Sequence, residues 1–225
     1  MNDSAVALQL RSAAVAEIPM LIGGEWRFGE RQDEVCDPFR RVAVARQPHS
    51  SLADLDDALA AAVAAKPVIA AMPGYERAAL LRRAASLMAE RVEAIADVMA
   101  RETGKAVKDA RAEIARSLDT IALSAEEAIR IQGEHVPLDG SAMGAGRIAM
   151  MLRFPVGVVA AITPFNAPFN LACHKIGPAI AAGNAIVLKA PPQAPGTVHA
   201  LAKIFADAGT PPGVLNVLYG PQVGP

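Results

Sequence analysis

The chain has 225 residues, 52% of them apolar, which is room for one large domain or two small ones around a sizeable core. Lys and Arg total 22 against 23 Asp and Glu, a net charge of −1 with no basic stripe, so nucleic-acid binding has no electrostatic support. The two cysteines make no disulfide framework, the acidic start "MNDSAVALQLRSAAVAEIPM" is a poor signal peptide, and no window approaches the roughly 18 uncharged apolar residues of a membrane span; a cytoplasmic protein is expected.

Residues 1–19 read as a flexible N-terminal extension. Residues 20–28, "MLIGGEWRF", read as two short strands about Gly23-Gly24, a pair that tolerates the positive φ of a tight hairpin. Another strand follows Pro38 in "CDPFRRVAVARQ". Ser51 can cap a helix over "LADLDDALAAAVAAK", with Asp residues in the early turns where the dipole favours them. After breaks at Pro67 and Pro73, a long helix is predicted over 75–102, with Leu81, Ala84, Met88, Val92, Ile95 and Met99 forming one buried stripe and Gly104 ending it. A further helix over 105–130 places Val107, Ala110, Ile114, Leu118, Ile121 and Ala125 on one face and its charges in water.

The pattern changes at Gly133. Two extended arms flank a Gly/Ser tip over 133–157, with Pro137 marking an edge strand. Such a hairpin is either a surface flap or an oligomer arm. The last third alternates strand and helix: strands over 156–162, 185–188 and 214–218, and helices over 170–182, kinked or split by Pro178, and 197–208, closed by Gly209. The apolar run at 156–162 predicts a strand buried on both faces. The alternation predicts an α/β fold with a parallel sheet and right-handed crossovers.

In open parallel sheets, ligands sit beyond the carboxyl ends of strands. Thr163 to Asn166 fall at such an end, just before a helix, and Pro164 and Pro168 stiffen the bend. The Asn166 carboxamide can donate two hydrogen bonds, as stabilisation of a developing oxyanion requires. The alternative is a turn Asn that bonds its own backbone. Lys189 ends the second strand and "APPQAP" follows, with no carboxylate nearby. At that place an acid would bind a ribose 2′-hydroxyl and a cation suits a 2′-phosphate, so Lys189 either leans toward NADP or leaves for solvent. No glycine-rich dinucleotide fingerprint follows the first strand.

The blocks "IGGEW" (22–26), "ETGK" (102–105), "FPVGVVAAITPFNAPFN" (154–170), "HKIGPAIAAGNAIVLK" (174–189) and "AGTPPGVLNVLYG" (208–220) occur in the order and spacing of the aldehyde dehydrogenase superfamily, which the chain resembles after about residue 19. The resemblance implies NAD(P)-dependent oxidation of an aldehyde to an acid, through a cysteine thiohemiacetal, hydride transfer to nicotinamide and thioester hydrolysis. Asn166 matches the family's oxyanion-hole asparagine. Ile162, Thr163, Pro164 and Phe165 match the cofactor-lining segment before it, Phe165 standing where many members have Trp. Lys189 matches the lysine near the adenosine ribose. Pro192 stands where many NAD-preferring members carry Glu, which favours NADP over NAD.

The resemblance also divides the chain into an extension (1–19), part of a cofactor-binding domain (20–132), an oligomerisation hairpin (133–155) serving a homo-dimer or tetramer, and a Rossmann-like βαβαβ part (156–225). The "ITPFN…N…HK" combination looks closest to members acting on small or anionic aldehydes. The family's nucleophilic cysteine and general-base glutamate have no counterpart here, so an N-terminal portion, silent by itself, is expected. Cys173 and His174 are neighbours on a predicted helix and diverge by about 100°, so they make a poor dyad, and Cys173 reads as a buried structural thiol. Neither cysteine sits at ligand spacing from a histidine, so no metal site is expected. The remaining alternative is a non-catalytic nucleotide-binding or assembly module.

Overall fold

A computed structural model describes residues 15–220. Ten strands and six helices follow one another among these residues. The strands β1 (Ala16–Glu17), β2 (Met20–Ile22), β3 (Glu25–Arg27), β4 (Gln32–Cys36) and β5 (Ala43–Pro48) come first. The helices α1 (Leu52–Ala71), α2 (Gly74–Glu90), α3 (Val92–Thr103) and α4 (Val107–Ala128) follow. The hairpin strands β6 (Glu134–Val136) and β7 (Ala149–Met151) lead into β8 (Val158–Ile162), α5 (Pro168–Ala181), β9 (Ala185–Lys189), α6 (Pro195–Asp207) and β10 (Leu215–Leu218).

The main sheet has the order β3-β2-β10-β9-β8. Strands β8, β9 and β10 are parallel, as strand–helix alternation requires. The N-terminal hairpin joins this sheet antiparallel, with Leu21 opposite Val217. Buried Asn216 locks the junction: its Oδ1 accepts from Gly23 N at 2.9 Å, and its Nδ2 donates to Gly213 O at 2.7 Å. Gly23 and Gly24 both have positive φ (63° and 89°), the primed-turn geometry that their lack of a Cβ permits. The fold is therefore α/β, a Rossmann-like sheet with flanking helices and a separate two-stranded β-hairpin.

Both crossovers from β8 to β10 step the same way along the sheet, so α5 and α6 share one face. Helix α1 packs against β2, β8, β9 and β10 and takes the other face. It starts with a capping box, Ser51 Oγ accepting from Asp54 N at 3.1 Å and Asp54 Oδ2 from Ser51 N at 2.7 Å. Helices α2, α3 and α4 form an outer layer over α5 and α6. A second sheet, β1-β5-β4, lies beside α3 and α6.

Several expectations change. Residues 1–14 of the expected extension lie outside the described residues, but Ala16 and Glu17 pair with β5 and Ile18 is buried, because its amide bonds Arg46 O and its side chain joins the core. Pro67 does not end α1, nor does Pro178 split α5. Each proline lies on the exposed face, as does the residue four positions back whose carbonyl loses its partner, while the opposite face stays packed. The long helix over 75–102 is two helices that meet at Arg91 (φ −110°, ψ 10°), which lets α2 and α3 lay their apolar faces on different neighbours. Strand β8 is not buried on both faces: it is the sheet edge, and Ile162 is 75% exposed. An apolar run records a strand's propensity to be covered but not whether a neighbour is present.

Candidate functional site

The carboxyl ends of β8 and β9 meet. Ile162 lies opposite Lys189 in parallel register, and Thr163 N donates to Lys189 O at 3.2 Å. The bend after β8 and the head of β9 thus occupy one edge of one sheet. Thr163 is buried, and its hydroxyl has no protein partner among the described residues. Pro164, Phe165 and Asn166 are exposed. Lys189 is half-buried, and that burial lowers its pKa; it has no carboxylate partner among the described residues.

An open cleft of about 340 Å³ borders the same edge. Phe165 and Pro192 line it together with β4 residues, Pro38 and the end of α3. Gln47 Nε2 holds the Pro192 carbonyl at 2.8 Å. Ile162, Thr163, Pro164, Asn166 and Lys189 are not in its lining, so of the residues read from the sequence it brings together Phe165 and Pro192 alone.

Two buried glutamates organise this edge. Helix α5 begins Ala167-Pro168 and helix α6 begins Ala194-Pro195, so neither N-cap residue offers a side-chain acceptor. The caps come from other helices. Glu113 of α4 accepts from Phe169 N at 3.0 Å and Asn170 N at 3.1 Å. Glu102 of α3 accepts from Gly196 N at 2.6 Å, Thr197 N at 2.9 Å and Thr197 Oγ1 at 2.7 Å. Burial pushes the Glu102 carboxyl up to about 7 against these hydrogen bonds. The Lys105 ammonium forms an ion pair with Glu113 and also donates to the Asn166 carbonyl at 3.1 Å. The first free amides of both helices are therefore taken by glutamate side chains rather than left open to an anion.

Lys105, Glu102 and Glu113 had no role assigned from the sequence, and the charges of α4 were expected in water. The signal was present. Glu113 falls within the stripe Ala110, Ile114, Ser117, Ile121, and Glu102 continues Ile95, Val98, Met99. A carboxylate in phase with an apolar stripe must be buried and must find donors.

The thiols offer no nucleophile here. Cys173 is buried on α5, where burial pushes its pKa up, while His174 beside it points to an exposed face. Cys36 is exposed at the β4 bulge.

A parallel α/β edge with a stiffened bend, a lysine with no carboxylate partner among the described residues and an adjoining cleft defines a Rossmann-like class of domain. The chain belongs to the aldehyde dehydrogenase family, whose sequence profile matches residues 26–224. It is 41% identical over 207 residues to 3-sulfolactaldehyde dehydrogenase of Priestia megaterium, covering 92% of this chain and 43% of that protein. It is 36% identical over 202 residues to the NADP-dependent glyceraldehyde-3-phosphate dehydrogenase of Streptococcus equinus, covering 88% and 42%. Among solved structures it resembles aldehyde dehydrogenase 21 of Physcomitrella patens in complex with the reaction product succinate, with a TM-score of 0.90, 36% identity, and 93% and 44% of the two chains covered. The NADP-dependent glyceraldehyde-3-phosphate dehydrogenase of Bacillus halodurans complexed with NADP gives 0.88, 35%, 91% and 44%. The chain thus spans less than half the length of these relatives. Among the described residues no helix is long and apolar enough to cross a membrane.

Proposed function

We propose that this chain is the cofactor-binding, N-terminal portion of an NAD(P)+-dependent aldehyde dehydrogenase that oxidises an aldehyde to a carboxylic acid. The observation that carries the reading is the register of β8 and β9, which sets the Thr163–Asn166 bend beside Lys189. In this reading Asn166 donates its carboxamide N–H to the oxygen of the reacting carbonyl as negative charge develops there. Ile162, Thr163, Pro164 and Phe165 line the cofactor, and the orphaned Thr163 hydroxyl is a buried polar group that a bound ligand would satisfy. Lys189 and Pro192 border the adenosine ribose. When bound, NAD(P)+ supplies the hydride acceptor. NADP is favoured because Lys189 lacks a competing carboxylate and position 192 carries no acid. The substrate is a small aldehyde bearing an anionic group, the chemistry shared by the names of several relatives, 3-sulfolactaldehyde and malonate-semialdehyde dehydrogenases among them.

The hairpin over 133–155 serves a homo-dimer or tetramer. Its strands and flanks expose Met143, Ile148, Met150 and Phe154, a patch that a second copy would cover. Assembly and reaction both take place in the cytoplasm.

The buried state of Cys173 and the isolation of Cys36 favour one further reading, that the chain alone binds nucleotide without turnover. Calorimetric titration with NADP+ and NAD+ tests both readings. Binding with a preference for NADP+ supports the cofactor assignment, and no heat with either nucleotide refutes it. In a protein that carries this chain together with the remaining length of its relatives, Asn166→Ala is expected to lower kcat by roughly 10²–10³ with little change in KM.

A further inference from the structure

The bend that presents Asn166 is held at few points. Pro164, Phe165 and Asn166 are all exposed. Among the described residues, the one hydrogen bond to the backbone of these three residues comes from Lys105 Nζ to the Asn166 carbonyl, at 3.1 Å. The flanking anchors are Thr163 N on Lys189 O and the amides of Phe169 and Asn170 on Glu113 Oε1. Lys105 and Glu113 are themselves joined, so one ion pair grips the bend at Asn166 and again at the start of α5.

We propose that the Lys105–Glu113 pair is a positioning device for Asn166: it fixes the Asn166–Ala167 peptide plane and the first turn of α5, and so sets where the carboxamide donor stands. The proposal rests on the reading of Asn166 as the oxyanion donor. Three observations support it. Lys105 directly follows Gly104, whose left-handed backbone (φ 70°) ends α3 and turns the chain toward α4. The Lys105 side chain is 21% exposed and that of Glu113 is 0% exposed, an enclosure that surface ion pairs lack. The ammonium faces a carboxylate at close range, so the pair is neutral as a unit. It brings little net field to a developing oxyanion and acts through placement. Placement matters steeply, since a donor displaced by about 1 Å can cost on the order of 10²-fold in rate.

A purely structural ion pair would also lower stability when broken, so the test must separate the two. Lys105→Met paired with Glu113→Gln avoids leaving a buried charge without its partner. In a protein carrying this chain with the remaining length of its relatives, this pair is expected to lower kcat by roughly 10–10²-fold while aldehyde KM and NADP+ affinity shift less than about twofold. On an Asn166→Ala background the same pair is expected to change kcat by less than about twofold, because the device acts through the missing carboxamide. Lys105→Arg, which keeps a donor, restores most of the rate. Equal losses in both backgrounds, or no loss in either, overturn the proposal. If Asn166→Ala keeps wild-type kcat, the oxyanion reading fails and the proposal falls with it; if Asn166→Ala loses rate and the paired variant does not, the positioning claim alone fails. Amide hydrogen exchange provides a second readout on the chain itself. The amides of Phe169 and Asn170, which bond Glu113, should exchange at least about tenfold faster in the paired variant, and unchanged rates would count against the proposal.

Discussion

Glu102 gives the most quantitative test of how this edge is built. Its carboxyl is buried and accepts three hydrogen bonds at the start of α6, yet desolvation prevails and raises it from 4.5 to about 7. A folded pKa above the unfolded one means that protonated Glu102 contributes stability that is fully present below about 4.5 and lost as pH rises through about 7. The separation of the two values at about 1.36 kcal/mol per pH unit gives a difference of roughly 3 kcal/mol between the ends of that window. Glu102→Gln keeps an acceptor oxygen but cannot ionise. Urea unfolding followed by far-UV circular dichroism, for both proteins between pH 4.5 and 8, isolates the contribution because other titrating groups are common to both. Wild type should fall relative to Glu102→Gln as pH rises, then level off above pH 7. Parallel curves would mean that the hydrogen bonds and the helix dipole cancel the cost of burial. An opposite slope would mean that they exceed it, and the carboxylate would then be the preferred native form.

Two further predictions concern burial. An aromatic disulfide reagent at pH 8 should label one thiol per native chain, at Cys36, and two after denaturation, because Cys173 is enclosed and its thiolate is disfavoured; rapid native labelling of Cys173, located by peptide mass, would contradict the packing of α5. Phe205→Ala removes a fully buried ring from α6 and is expected to cost about 3–5 kcal/mol in urea unfolding, with a loss below about 1 kcal/mol placing that ring outside the cooperative core.

The strand–helix alternation of the last third and the meeting of Thr163 with Lys189 were legible in the sequence because they depend on local period and on the handedness of crossovers. The exposure of β8 was not legible, since Val158 to Ile162 are apolar whether or not anything covers them. Pro67 reads as a break and Pro178 as a kink or a split when the cost of proline is counted without asking which helix face carries it; both prolines are exposed. The capping glutamates were misread for the reverse reason. Charge was taken to mean solvent, although the phase of Glu102 and Glu113 within their stripes already placed them inside. Their partners, amides 57 and 95 residues downstream, could not be read from any local window.

Those two glutamates also explain how this sheet edge is built without a glycine fingerprint. In the glycine-rich fold, the first turn lets a pyrophosphate approach the amides of a helix N-terminus. In this chain Pro168 and Pro195 occupy the opening positions of α5 and α6, and a carboxylate already takes the free amides of each. A phosphate brought to either terminus would find those amides already taken. The helix starts therefore serve as fixed points. Glu113 ties α5, and with it the bend carrying Asn166, to α4; Glu102 ties α6, just beyond Pro192, to α3. The helix starts that follow Phe165 and Pro192 are held by the outer helical layer, so a change in the packing of α3 or α4 is expected to be felt at the sheet edge.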